Sequence, residues 1–327
     1  MRLHRHVALA LLVGAPLYAQ QPGPKDMPQE MVWVDRSGDV IERVGAVQNS
    51  IFFPEISPDG RFIAVSSRDG EVNDRDVWIH DIAAATKRRV MEVKGNDNFP
   101  FWSPDGKEVA FTSSRTRNYE LYRRSLASGT EDIDVDVDIR ILEGETPEYP
   151  RDWSSDGKYL AFARAFDDRR TLELLRMDTG NYEVLKFLPA ESGVWNDGGR
   201  FSPKNRHYAF SSNAGGYWEV YVCEVENPTR RWKVSRPHER GWAGGGWQPR
   251  WRADGRELFY LLDSETMVSV EVTTEGEFTH GDAKKLFTVR GMRGNFPDES
   301  PWLHRYDVTA DGQRFVFVRK VEDSMPR

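Results

Sequence analysis

Phe99-Pro100-Phe101-Trp102-Ser103-Pro104-Asp105-Gly106-Lys107-Glu108-Val109-Ala110-Phe111-Thr112-Ser113-Ser114-Arg115 reads as two short strands joined by a tight turn. Pro presets φ near −65°, Asp bonds nearby amides, and Gly accepts positive φ, so Ser103-Pro104-Asp105-Gly106 suits a turn between antiparallel strands. The same signal stands at Ser57-Pro58-Asp59-Gly60 and Ser154-Ser155-Asp156-Gly157. It continues in weaker form at Ser202-Pro203-Lys204-Asn205, Arg252-Ala253-Asp254-Gly255 and Thr309-Ala310-Asp311-Gly312. From Gly60 to Gly312 the copies follow at intervals of 46, 51, 48, 50 and 57 residues. Asn205 replaces Gly in the fourth copy, and Asn is next best in the left-handed region.

Each turn is preceded by a bulky residue: Ile56, Trp102, Trp153, Phe201, Trp251 and Val308. An apolar run follows, as in Phe62-Ile63-Ala64-Val65 and Tyr159-Leu160-Ala161-Phe162, the pattern of a strand covered on both faces. Ala64, Ala110, Ala161 and Ala209 share one position, where a small residue suits crowded neighbouring sheets. A third strand (Asp76-Val77-Trp78-Ile79-His80 in the first copy) and a more polar fourth complete each unit. Four strands in about 50 residues describe a propeller blade. The sixth copy has only two strands before Arg327, while Met31-Val32-Trp33-Val34-Asp35 and Val40-Ile41-Glu42-Arg43-Val44 supply the missing pair at the other end. The expected fold is an all-β, six-bladed β-propeller over residues 31–327, closed by N- and C-terminal strands sharing one blade.

Before it, residues 1–19 carry Arg2 and Arg5, an apolar run from Val7 to Leu17, and Ala19 at a cleavage position, the layout of a secretory signal peptide. Cleavage would take the net charge from −7 to −9. Residues 20–30 read as an exposed, Pro-rich linker, and no later segment is apolar for long enough to form a membrane helix. Aromatics at 12% exclude disorder as the main reading, and the acidic balance argues against nucleic acid as partner. Cys223 stands alone, which excludes an intrachain disulfide framework or a multi-cysteine metal cluster.

The repeat at 99–115 resembles that of the TolB-type propeller family, also called WD40-like, and the likeness runs over residues 31–320. It implies a periplasmic or secreted, soluble propeller whose surface docks other proteins. Met31-Val32-Trp33-Val34-Asp35-Arg36-Ser37-Gly38, Trp247-Gln248-Pro249-Arg250-Trp251 and Tyr306-Asp307-Val308 are also similar to the extracytoplasmic propeller of some bacterial Ser/Thr kinases, which implies a sensor or interaction role.

No G-x-S-x-G elbow, H-E-x-x-H pair or Walker loop occurs, so no catalytic residue, metal or cofactor is assigned. Asp132 to Asp138 alternates acids with Ile and Val and reads as an outer edge strand; Val137 sits where a calcium loop needs Gly. Of the histidines, His304 is the axial candidate, while His80 and His207 read as packed within strands.

The residues just before the bulky ones are Glu55, Phe101, Asp152, Arg200, Arg250 and Asp307, and innermost strands face a propeller's axis. With Trp195 nearby, the candidate binding residues are Glu55, Asp152, Arg200, Arg250, Arg305, Trp247 and Trp302, because Arg and Trp are favoured anchors. The other reading is a self-paired ring of salt bridges around a water-filled channel. The expected function is a monomeric protein-binding, scaffold or sensor module for another envelope or secreted protein or a peptide. The alternative is a polysaccharide lyase or hydrolase built on the propeller, with an axial metal or paired carboxylates.

Overall fold

The computed structural model describes residues 28–69, 74–116, 118–126, 138–235, 245–263, 266–288 and 306–321. The expected signal segment, most of the expected linker, the alternating run 132–137, Trp302, His304 and Arg305 lie outside them. Six antiparallel sheets are formed. The chain opens with β1 (Pro28–Asp35) and β2 (Val40–Asn49). Blade one is β3 (Phe52–Ile56), β4 (Phe62–Ser67), β5 (Asp76–Asp81) and β6 (Thr86–Arg89). Blade two is β7 (Asp97–Trp102), β8 (Glu108–Ser113), β9 (Glu120–Ser125) and β10 (Asp138–Leu142). Blade three is β11 (Glu148–Trp153), β12 (Tyr159–Ala165), β13 (Arg170–Arg176) and β14 (Val184–Leu188). Blade four is β15 (Asn196–Phe201), β16 (His207–Ser212), β17 (Glu219–Glu224) and β18 (Arg231–Lys233).

Blade five departs from the four-strand expectation. After β19 (Trp247–Trp251) and β20 (Glu257–Leu261), the long β21 (Thr266–Thr273) takes two partners, β22 (Thr279–His280) and β23 (Lys284–Thr288). Blade six joins β24 (Tyr306–Val308) and β25 (Arg314–Lys320) to β1 and β2. Seven consecutive pairs from Gln29–Lys320 to Asp35–Arg314 make that join, and Val32 lies opposite Phe317. β1 begins at Pro28, inside the stretch expected to be exposed, and Gln29 and Glu30 are buried. They are held by partners: Gln29 Oε1 accepts from the Ile51 amide at 2.6 Å, and Glu30 bridges to Arg43 and Arg319.

The recurrent turn closes the same way throughout. In the first three copies Ser57, Ser103 and Ser154 Oγ each donate to the turn Asp at 2.6–2.7 Å. Each serine oxygen also accepts the amide five residues on, at 2.9 Å. The four alanines at the shared position are all fully buried. Apolar clusters form between adjacent blades: Ala64, Val77 and Ile79 of blade one pack with Trp102, Val109 and Phe111 of blade two. Burial of this kind contributes roughly 25 cal/mol per Å² of apolar surface, and here it accrues at every blade interface around the ring.

Candidate functional site

The innermost strands all end at the recurrent turns, so one end of the axis carries those turns and the other the loops that enter β3, β7, β11, β15, β19 and β24. Part-way along, the residues before the bulky ones meet. Arg200 Nη2 bonds Glu55 Oε2 at 2.6 Å, although blades one and four face each other across the ring. Arg200 also donates to the Arg151 carbonyl, and its guanidinium carbon lies 4.5 Å from the Phe101 ring centre. Arg250 Nε bonds Asp307 Oδ1 at 3.0 Å and comes within 4.0 Å of Glu55. The acids also reach forward one blade: Asp152 accepts from the Phe201 amide at 2.6 Å, and Asp307 from the Ile56 amide at 2.8 Å. Trp102 and Trp251 reach back, donating to the carbonyls of Glu55 and Arg200 at 3.0 and 3.1 Å.

These contacts change the sequence picture in one respect. The charges do pair with one another, but not around an open channel, because the Glu55–Arg200 bond crosses the axis. Three acids face two arginines, and the surplus falls on Glu55. Burial pushes its carboxyl up to about 8, Arg200 pulling against it and Asp307 adding to it. Burial likewise raises Asp152 to about 6, against the pull of Arg200. On the turn side a cavity of about 310 Å³ remains, with Asp152, Arg200, Arg250, Trp153 and Trp251 among its lining. A wider cleft of about 850 Å³ lies away from the axis, lined by Arg36, Arg252 and Glu257 among others. Within it Arg36 pairs with Glu257 and Arg252 with Asp254, both at 2.7 Å.

At the other end the sequence reading missed a second group. Phe53, Phe99 and Tyr149, one from each of the first three blades, form an arc with ring centres 4.0 and 5.1 Å apart. Tyr119 extends it at 6.0 Å from Tyr149. Arginines sit on these rings: Arg75 is 4.3 Å from Phe52, Arg151 is 4.9 Å from Phe99, and Arg170 is 5.5 Å from Tyr149. Trp195 belongs here too, 5.4 Å from Arg170, and not beside the charge ring. Trp247 is only 2% exposed and begins β19, well before Arg250.

The backbone brings this group about. The innermost strands of the first five blades each break register with their neighbour. At these bulges Phe53 and Phe99 have φ of 55°, and Gln248 has 58°. Each precedes a proline, which ordinarily forces extended backbone, and bulky residues at positive φ are outliers that cluster at ligand clamps and switches. In blade three the bulge inserts Arg151, which is fully buried. Asp197 receives both Arg151 and Arg170. Burial works to raise its carboxyl, but the two guanidiniums hold it below the usual range. The signal that could have exposed this group is the recurring X-Pro pair two residues before the ring position, at Phe53-Pro54, Phe99-Pro100 and Gln248-Pro249.

His80 and His207 are buried in strands, as expected. His80 Nε2 is 2.7 Å from Gln48 Oε1, and its Nδ1 accepts the Ala46 amide at 3.3 Å, which joins blade one to β2. Among the described residues no group of three or more His, Cys, Asp or Glu is placed to hold a metal ion.

Comparison with known proteins agrees with the architecture. Residues 29–186 match the TolB β-propeller domain family. A Tol-Pal system protein TolB of Alcanivorax borkumensis is 32% identical over 88 residues, 27% of this chain and 20% of that protein. An uncharacterized protein of Agrobacterium fabrum is 30% identical over 166 residues, 47% of this chain and 52% of that one. The matches therefore span a fifth to about half of those relatives' lengths. A solved structure from Agrobacterium tumefaciens, assigned as a TolB, superposes with a TM-score of 0.63 at 18% identity, covering 91% of this chain and 99% of its own.

Proposed function

We propose that this TolB-like β-propeller is a periplasmic or secreted module that binds another protein at the end of its axis away from the recurrent turns. The observation that carries the reading is the half-buried part of the arc, Phe99, Tyr149 and Tyr119, with ring centres 5.1 and 6.0 Å apart and half-buried Arg75 nearby; Phe53, Arg151 and Arg170 are buried behind it and pack against these rings. Aromatic and arginine side chains are the groups that dominate binding at protein interfaces. The turn-side ring is assigned a different part. Arg200 and Arg250 are 6% and 2% exposed and already committed to Glu55, Asp307 and main-chain carbonyls. Arg200 ties blade four to the opposite blade one and Arg250 ties blade five to its neighbour blade six, and a partner would have to break those bonds to use them. The envelope location is supported by the signal-like sequence of residues 1–19 and by the resemblance to TolB.

Photo-crosslinking in the producing cell tests this. Benzoylphenylalanine at Asn118 or Glu191, both exposed near the arc, should give a discrete protein adduct identifiable by mass spectrometry. The same group at exposed Ser155 or Lys204 on the turn side should give none. Adducts from the turn side alone, or from neither end, would overturn the proposal.

A further inference from the structure

We propose that His80 is an acid-sensitive latch on the closed ring: the neutral imidazole fastens β2 to blade one, and its protonation releases that join. His80 stands in β5 and has no exposed surface. Both of its nitrogens are engaged by β2, the outer strand of the closing blade. Nδ1 accepts the Ala46 amide at 3.3 Å, and Nε2 lies 2.7 Å from Gln48 Oε1. A main-chain N–H can only donate, so Nδ1 carries no proton, and the ring hydrogen sits on Nε2 and is given to Gln48. One neutral tautomer therefore serves both bonds. A second proton has only Nδ1 to go to, where it would point at the Ala46 N–H. The imidazolium cannot keep the join.

The surroundings leave the ring little room to adapt. Gly45 has φ of +68°, and a Cβ there would lie 2.8 Å from Nδ1, so the main chain of β2 rests on the imidazole itself. Across its own sheet His80 pairs with Ile63 of β4 and Lys87 of β6. Lys87 opposes a positive charge on the ring, and Asp69, beyond the end of β4, favours one. These two pair with each other, so their effects work against one another. Along β5 the acids are engaged elsewhere, Asp76 by Arg89 at 2.7 Å and Asp81 by the Ala84 amide at 2.8 Å. β2 brings Gly45, Ala46 and Gln48 to the ring, none of them charged.

Burial is then the largest influence, and it carries the imidazole down to about 4 from an ordinary 6.5. The stability held in this join is fully present above pH 6.5 and is lost as pH falls towards 4. The rest of the contact bounds the opening. On one side Val44 packs with Met31 and Trp33 against Ile63 and Val65, an apolar cluster without a titrating group. On the other, Ser67 Oγ donates to the Asn49 carbonyl at 2.6 Å. Acid therefore frees the stretch between them, residues 45–48, and leaves the blades themselves folded. Local opening of this kind needs far less free energy than global unfolding.

The test is hydrogen exchange by mass spectrometry on the whole protein at pH 7 and pH 4.5, with intrinsic rates corrected for pH. The Ala46 amide bonds the imidazole directly, so peptides over residues 44–49 should exchange at least tenfold faster at the lower pH. Residues 160–163, buried in blade three, should keep their protection. His80→Gln, neutral at both values, should exchange alike at both in residues 44–49. An unchanged parent, a loss of protection shared by all blades, or the same loss in His80→Gln would overturn the proposal. If His80→Gln does not fold, the imidazole of the parent is titrated by NMR with labelled histidine and identified by its proximity to the Ala46 amide. Charging over the range in which residues 44–49 lose protection supports the latch, and charging at or above 6.5 overturns it.

Discussion

Glu55 shows most clearly how one residue is set by its surroundings. It is the third acid in a ring with two arginines, and burial carries its carboxyl up to about 8 from an ordinary value of 4.5. The folded form therefore holds a proton that the unfolded chain releases between those values. The associated stability is fully present below about pH 4.5 and is lost as pH rises through the folded value. Glu55→Gln, which keeps the neutral form, should lose less stability between pH 5 and pH 8 than the parent, by on the order of a few kcal/mol. Thermal melts at the two pH values check this, and parallel curves for the two proteins would contradict it. Asp152 and Asp307 are coupled to Glu55, so the difference between the two proteins reports the shared titration of the ring. Ala110, with no exposed surface, makes a second case. Ala110→Leu would force extra volume into the packed position where the blades crowd, and should cost about 1–3 kcal/mol in denaturant unfolding.

Elements carry the closure of the ring. β1 is antiparallel to β25 over seven pairs, so the two chain ends are joined by main-chain hydrogen bonds in the same sheet. Closure removes two open sheet edges that would invite pairing with other chains. Deleting residues 31–44 should give an aggregating or unfolded product in size-exclusion chromatography; a monomeric, folded deletion protein would refute the shared blade. The contact between β2 and blade one is tight at Gly45. Its φ is +68°, and an added Cβ would lie 2.8 Å from His80 Nδ1. Gly45→Ala should therefore cost about 1–3 kcal/mol through the positive φ alone, and more through the clash.

Most of this level was legible in the sequence. The Ser-Pro-Asp-Gly signal is local, as is the run of apolar residues behind it, so strands and their order followed from neighbours along the chain. The shared blade was legible because Met31 to Asp35 has the pattern of a third strand. The site was legible only in part. Glu55, Asp152, Arg200 and Arg250 were found because they sit at one repeat position. Their pairing across the axis was not, because spacing does not reveal which blades face each other. The aromatic arc was missed for a related reason: it depends on bulges that shift Arg151 and Tyr149 out of the repeat register.

Across the whole molecule the two ends of the axis are built differently. The turn end is braced by charges that satisfy one another. The other end collects aromatic rings with arginines stacked on them, two of those arginines tied to Asp197. The rim is arranged to stay apart from other copies: most outer strands are short and carry cations, such as Thr86–Arg89 and Arg231–Lys233. β2 is longer and exposes Val40 and Ile41. The protein should sediment as a monomer at micromolar concentration; a dimer abolished by Ile41→Lys would place a contact on β2 instead. The most direct measurement is hydrogen exchange on the protein alone and in complex with the partner that crosslinking identifies. The expected result is slowed exchange in residues 47–53, 94–100, 145–151 and 190–197. Protection confined to the turns at 57–60, 154–157 and 202–205 would contradict the account.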